Sequence, residues 1–399
     1  MKPEPITSSS STSDRYERIL SDLRARSLLR EIRTIEEVDG PEVIVDGQRF
    51  INFASNDYLG LSQHPLLKTA AQEAIERFGV GAGASRLVTG SLSLHKKLEQ
   101  ELATFKGTES ALLFGSGYAA AIGTLCSLLG PGDIILLDKL VHACIIDGAK
   151  LSGAIIRVFP HNNIEKLKEH LAWARKNHPD KKPLIATESV FSMDGDLANL
   201  PAIVQLKNEF QALLFVDEAH ATGVVGPKGT GLVDALGLTG EVDIQMGTLS
   251  KAIGVSGGFI CGSNPLVQLL VNRARSLIYS TSSPPALAAA ASASLQILQS
   301  DLGDQLRTRL WQNIGLLSKR LEIEGIYSRS PESAIIPVLV GAEERSLRLV
   351  EVLLENGFLI PAIRYPTVAR GSARIRIALS AAHFSEQIEA LATVINGWH

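Results

Sequence analysis

Cysteine is scarce in this chain: three among 399 residues, Cys126, Cys144 and Cys261, with no C-x-x-C pair. Neither a zinc ribbon nor a disulfide framework is supported, no metal site is expected, and a reducing cytoplasm is the expected compartment. A charge excess is missing too. The 39 basic and 42 acidic side chains leave a formal charge of −3, which argues against a nucleic-acid partner. No run reaches the roughly 18 continuous apolar residues of a membrane helix, and even Pro285 to Leu295 is interrupted by serine. The opening MKPEPITSSSSTSDRYE has neither the apolar segment of a signal peptide nor hydrophobic periodicity, so residues 1–13 are expected to be a disordered tail. No internal repeat is found.

What is there is an ordinary globular balance, 45% hydrophobic and 20% charged, enough for a core spread over more than one domain. From Tyr16 to Ile35 charges and leucines alternate at helical spacing, and VDGPEVIVDGQRFINF then breaks into strand-like pieces around Gly40, Pro41 and Gly47. Residues 14–60 are expected to form an N-terminal arm with a helix and a hairpin. Short apolar runs then alternate with helical stretches: ALLFGSG (111–117), IILLD (134–138), IIRVF (155–159), LIATES (184–189), LLFVDE (213–218) and VDIQM (242–246). Buried parallel strands read as near-continuous apolar runs, so residues 61–290 are expected to be an α/β domain with a large, mostly parallel sheet and helices on both faces. Beyond it, IIPVLVG, RSLRLVEVLLEN, FLIPAIR, ARIRIALS and a last helix from Ser385 predict a smaller α+β domain over residues 291–399.

Ligands of open parallel sheets bind beyond the carboxyl ends of the strands, so the polar residues after each apolar run are informative. Gly115 to Tyr118 offer backbone N–H groups at a helix start, suited to a phosphate, although a plain strand-to-helix turn reads the same way. Asp217 ends an apolar run and should meet a cation; a pyridinium nitrogen is one such cation, and a helix cap or structural ion pair is the alternative. Lys251 sits in GTLSKAIG, where partial burial would lower its pKa toward nucleophilic use, but a lone lysine is usually solvated. His142 and His220 carry the same discount. Convergence on one sheet edge raises all four.

Three apparent motifs fail on context. DEAH at Asp217 to His220 lacks a G-x-x-x-x-G-K-[ST] phosphate loop elsewhere. Gly254, Ser256 and Gly258 match G-x-S-x-G, yet an apolar run, FICG, follows where a helix is required. Gly79, Gly81 and Ala84 approximate a dinucleotide fingerprint, but a helical stretch precedes them where a strand should be.

Taken in order, SNDYLGL (55–61), GSGYAA (115–120), HACIIDG (142–148), ESVFSMDGD (188–196), VDEAHATGVVG (216–226) and GTLSKAIG (247–254) resemble the α-oxoamine synthases, fold-type-I transferases dependent on pyridoxal 5'-phosphate. The resemblance runs from about Arg24 to the C-terminus. It implies that Lys251 binds the cofactor covalently, that Asp217 partners the pyridine nitrogen and that His142 stacks over the ring. It places Ser192 and His220 near the phenolic oxygen, Thr248 and the amides of Gly117 and Tyr118 at the phosphate, and Glu188 among the cofactor-binding residues. On the substrate side it implies Arg30, Asn56, His142 and Thr367, with Arg376 holding the amino-acid carboxylate. Arg374 shares a face with Arg376 in the period-2 segment ARIRIALS. Both could also be exposed strand charges.

Within the family, LIYSTSSPP (277–285) and AIRYPTVARGSARIRIALSAAH (362–383) are most similar to the members that condense L-alanine with a pimeloyl thioester, of coenzyme A or acyl carrier protein, in biotin biosynthesis. The product there is 8-amino-7-oxononanoate, with CO2 and the free thiol. A glycine C-acetyltransferase is the alternative inside the family, and a serine hydrolase using Ser256 the alternative outside it. The resemblance implies a homodimer with the site at its interface. Two departures stand out: Cys144, where many relatives have serine, and VTGSLSLH (88–95).

Overall fold

A computed structural model of the chain describes residues 12–26, 28–323, 326–327 and 330–398. Residues 1–11 of the expected tail lie outside the described residues, and Thr12 and Ser13 already belong to a helix, Thr12–Ala25. The helical spacing seen up to Ile35 does not carry that helix onward. The Glu36 N–H bonds the Ile44 carbonyl at 2.8 Å, so strand pairing has claimed the chain by then. Three short strands follow, β1 (Glu37–Asp39), β2 (Glu42–Val45) and β3 (Gln48–Asn52), paired antiparallel.

Seven strands form the large sheet: β4 (Ser110–Phe114), β5 (Ile134–Asp138), β6 (Ile155–Phe159), β7 (Leu184–Glu188), β8 (Leu213–Asp217), β9 (Ile244–Thr248) and β10 (Gly258–Gly262), in the order β4-β10-β9-β8-β7-β5-β6. Only β10 is antiparallel, to both β4 and β9. Side chains alternate between two cores. On β5, Ile134 and Leu136 join one cluster while Ile135 and Leu137 join the other, because helices cover both faces. One expectation needs correction. The run at 242–246 becomes a strand two residues later, since the Asp243 carboxylate accepts from the Leu214 N–H (2.9 Å) ahead of the ladder, and Gly247 and Thr248 pair with β10. The apolar run FICG that follows Ser256 is a strand too, β10.

Helix Pro285–Gln299 runs through residues 290 and 291, and a second long helix, Asp301–Ile323, follows. The smaller sheet contains β11 (Ile335–Gly341), β13 (Ala362–Ile363) and β14 (Ala373–Ala378), with β14 central; β12 (Phe358–Leu359) pairs parallel with β3 instead. Every residue of β14 is buried, Arg374 and Arg376 included, which overturns their reading as exposed strand charges. Residues 53–60 cross directly onto this strand's end: Ala378 N bonds Phe53 O (2.9 Å) and Ala381 N bonds Tyr58 O (2.8 Å).

Candidate active site

The carboxyl ends of β4, β5, β7, β8 and β9 share one edge of the large sheet, and each delivers a polar group there. After β4, Ser116 caps helix Gly117–Leu128 by accepting from the Ala119 N–H (3.1 Å). The N–H groups of Gly117 and Tyr118 then have no hydrogen-bond partner among the described residues. The backbone comes very close here: a Cβ on Gly258 of β10 would sit 2.4 Å from the Gly117 nitrogen. After β5, His142 caps helix Ala143–Ser152 through Nδ1, which accepts from Cys144 N (3.2 Å) and lies 3.0 Å from its sulfur. The rest of the His142 ring is exposed.

Glu188 and Asp217 end β7 and β8 as register partners, both buried. Burial raises both carboxyl pKa values, and the Asp217 charge adds to the effect on Glu188. Asp217 Oδ1 accepts from Ala219 N (2.9 Å); Glu188 Oε2 accepts from Ser192 N (3.2 Å), while its Oε1 is buried with no hydrogen-bond partner among the described residues. Beneath them Lys106 and Glu218 form a fully buried ion pair, and Glu218 Oε1 also takes the Val233 N–H (3.0 Å), which pins the segment between Asp217 and His220.

After β9, Thr248 folds its hydroxyl back onto Gly257 O (2.8 Å) and accepts from Ser250 N (3.1 Å), making the tight turn that presents Lys251. Gly254 permits the backbone at Leu61 and Ser62 to approach: its φ is +82°, and a Cβ would meet Ser62 N at 2.7 Å. Lys251 Nζ lies 2.7 Å from His220 Nε2, and His220 Nδ1 lies 2.6 Å from the Tyr58 hydroxyl. Tyr58 contacts Asn56 Oδ1 (3.1 Å), and Arg376 donates through Nη2 to Asn56 Oδ1 (3.1 Å) and Tyr58 Oη (3.4 Å), and through Nε to Ser192 O (2.6 Å). One hydrogen-bonded chain therefore joins Lys251 to Arg376. Its protons have two consistent placements: a charged Lys251 donates to Nε2 and Nδ1–H donates to Tyr58, or Tyr58 donates to Nδ1 and Nε2–H faces a neutral amine. Burial lowers the Lys251 pKa to about 8 against the pull of Asp217 and Glu188. Burial and the Lys251 charge hold His220 well below the usual imidazole value.

Of the residues singled out from sequence, Lys251 meets His220 and Arg376 meets Asn56 and Ser192, the two groups being joined through Tyr58, and His142, Glu188, Asp217, Thr248, Gly117 and Tyr118 share the same sheet edge. Tyr118 turns its hydroxyl to Asp147 (2.6 Å). Arg30 and Thr367 come together elsewhere, with Leu28, Arg364 and Tyr365 around a cavity of about 160 Å3, and no hydrogen bond among the described residues ties them to Lys251. Tyr58 was missed, although it lies in the SNDYLGL segment that yielded Asn56; no local pattern shows that its hydroxyl reaches His220, 162 positions away. Ser256 sits in the turn between β9 and β10, and no hydrogen bond among the described residues joins it to a histidine, so the hydrolase alternative lacks its base.

A family model described as aminotransferase class I and II matches residues 48–395. The chain belongs to that family. Among curated relatives, the 8-amino-7-oxononanoate synthase of Geobacter sulfurreducens is 46% identical over 370 residues, 93% of this chain and 94% of that one. The synthase of the same name from Chromobacterium violaceum is 46% identical over 372 residues, covering 93% and 95%. Solved structures similar to this member of the family include Sphingomonas wittichii serine palmitoyltransferase (31% identity, TM-score 0.91, 98% of each chain). Another is an 8-amino-7-oxononanoate synthase from Francisella tularensis (29% identity, TM-score 0.75, 87% of this chain and 97% of that one).

The family's cofactor is pyridoxal 5'-phosphate, and the donor set suits it. Unpaired N–H groups at a helix start match a phosphate; the buried Asp217 carboxylate, bonded through Oδ1 to the Ala219 N–H, matches a protonated ring nitrogen; the exposed His142 offers a flat ring; and an amine with a lowered pKa matches an aldehyde carbon.

Proposed function

We propose that the chain condenses L-alanine with a pimeloyl thioester to give 8-amino-7-oxononanoate, CO2 and the free thiol. The observation that carries this reading is the continuous chain from the Lys251 amine to the Arg376 guanidinium. It joins a nucleophilic base to a carboxylate receptor through two side chains, His220 and Tyr58, while the 46% identity to oxononanoate synthases favours alanine over the serine of the palmitoyltransferases.

When bound, pyridoxal 5'-phosphate supplies the electron sink for charge that develops at the amino-acid Cα. Lys251 would anchor it through Nζ, Asp217 would keep its ring nitrogen protonated, Gly117 and Tyr118 would donate backbone N–H groups to its phosphate with Thr248 nearby, and His142 would cover its ring. Ser192, Glu188 and His220 line the remaining edge. Arg376 has Nε and part of Nη2 tied to protein, which fixes the fork so that its outer edge meets the alanine carboxylate. With cofactor and substrate bound, Lys251 Nζ would be placed to take the Cα proton and later to return one, and the His220–Tyr58 pair would adjust its tautomer to either charge state of the amine. Asn56 holds Tyr58 and Arg376 in one geometry. Arg30 and Thr367 give the acyl chain a polar terminus to reach. A homodimer with the site at its interface and a cytoplasmic setting complete the reading.

Absorbance titration of the holoenzyme with L-alanine, glycine and L-serine tests the amino acid, and product mass with pimeloyl-coenzyme A and pimeloyl-acyl carrier protein tests the acyl donor. A response to glycine alone, with a two-carbon acyl donor, transfers the assignment to a C-acetyltransferase.

A further inference from the structure

The loop Phe191–Asp196 supplies the carbonyl of Ser192 that fixes Arg376, and the residue that clips this loop in place lies outside every motif considered so far. His161 follows β6. Its Nδ1 is 3.0 Å from Asp138 Oδ1, and its Nε2 is 2.7 Å from Asp196 Oδ2. Asp138 ends β5, is buried, and accepts from Leu140 N (2.8 Å) and Asn162 N (2.9 Å), so it also sets the start of the segment that carries His142. Asp196 has its other oxygen buried without a partner, which leaves the imidazole as its side-chain contact. An ionised carboxylate only accepts, so with a carboxylate at each ring nitrogen the arrangement favours a doubly protonated His161, a cation held between two acceptors.

The loop itself is short and stiff. Phe191 N bonds Asp196 O (2.9 Å), Gly195 N bonds Phe191 O (2.8 Å), and the Phe191 ring meets His161 edge-on at 4.3 Å. Its far side belongs to the smaller domain. Arg376 holds Ser192 O, Arg374 holds the Asp194 carboxylate (2.5 Å), and Ser333 Oγ donates to Gly195 O (2.8 Å). Gly195, at φ +69°, leaves no room for a side chain, since a Cβ would lie 2.4 Å from Ile335 O. The loop is thus a rigid spacer with the His161 clip at one end and the two arginines of β14 at the other.

We propose that His161 is a positioning residue which, by bridging Asp138 and Asp196, sets the distance between the His142 segment and the Arg376 carboxylate receptor. The role rests on the reading of Arg376 as that receptor; the charge state of the clip does not. Burial alone would depress the pKa of this ring, but the hydrogen bonds and charges of Asp138 and Asp196 outweigh it and raise the value to about 10.

The test uses the holoenzyme in two arms. Nitrogen-15 NMR of histidine-labelled protein at pH 8, with His161 assigned from the signal lost in His161→Gln or shifted in Asp196→Asn, should find both ring nitrogens protonated. A neutral ring at that pH overturns the clip whatever the substrate proves to be. In the second arm, outer-shell groups that orient a binding residue typically carry about tenfold in affinity, so His161→Gln should raise the KM for the amino acid about tenfold and change kcat by less than about threefold. Asp196→Asn should reproduce that split, and serves alone if His161→Gln does not fold. An unchanged KM, or a loss confined to kcat, overturns the positioning role. Wild-type protein that ignores L-alanine but responds to another amino acid overturns the proposed substrate and leaves both arms to be read with that amino acid.

Discussion

The edge of the large sheet and the face that β14 turns toward it are built in opposite ways. At the sheet edge each strand brings one group, and each group is held by neighbours close in sequence: Ser116 by Ala119, His142 by Cys144, Asp217 by Ala219, Thr248 by Ser250. On the β14 face the partners are distant. Arg376 bonds Asn56 across 320 positions and Ser192 across 184, and Arg374 bonds Asp194 across 180. On the proposed roles, cofactor chemistry would sit on a local frame that each βα unit makes for itself, whereas substrate capture would depend on the long-range pairing of the β14 face. Damage to the first should abolish chemistry with the fold intact; damage to the second should shift binding and stability together.

The largest expected effect falls on the local frame. Lys251→Ala should lose at least about 10^4-fold in turnover, because base and covalent anchor go together. Borohydride reduction followed by peptide mass analysis should then find no cofactor attached at position 251; attachment to another lysine would refute the assignment. Asp217→Asn should cost about 3 kcal/mol of charge stabilisation, roughly a hundredfold in rate, with cofactor still bound. Unchanged turnover there would remove Asp217 from the electron-sink role.

The β14 face should respond differently. Arg376→Lys keeps a charge but loses the fork and its ties to Ser192 and Asn56, so alanine affinity measured by absorbance should fall about tenfold or more. Arg374→Lys should leave alanine affinity near wild type and lower the melting temperature, through loss of about 1.5 kcal/mol from the Asp194 pair. Reversed outcomes would exchange the two arginines.

Smaller effects follow from proton affinities. Capture of pyridoxal 5'-phosphate by the apoprotein needs a neutral amine, so its rate should rise with pH and level off above about 8, the value to which burial brings Lys251. A rise continuing toward pH 10 would show an ordinary, solvated lysine. For His161 the folded-state pKa of about 10 lies above its ordinary value. Its stabilisation is therefore complete below about pH 6.5 and fades as pH climbs through 10. The melting-temperature gap between wild type and His161→Gln should shrink over that interval, and a gap independent of pH would argue against a charged ring.

Much of this was legible in the chain because parallel strands buried on both faces leave near-continuous apolar runs, and each run points to the polar residue behind it. Thus Asp217, Lys251, His142 and the Gly115–Tyr118 loop could be found without knowing strand order. What escaped was set by pairing at a distance. The helical spacing that continues to Ile35 is helix only to Ala25, with the chain paired to β2 by Glu36, and β10 acquires its place only by lying between β4 and β9. By itself the sequence determined the βα rhythm, the buried carboxylate, the turn that presents Lys251 and the family. Only the tertiary structure decided that Tyr58 completes the link from His220 to Arg376, that Arg374 and Arg376 are buried, and that His161 lies between two carboxylates. The physical reason is common to all three: a hydroxyl, a guanidinium or an imidazole acquires its role from the acceptors around it, and here those acceptors come from segments that only folding brings together.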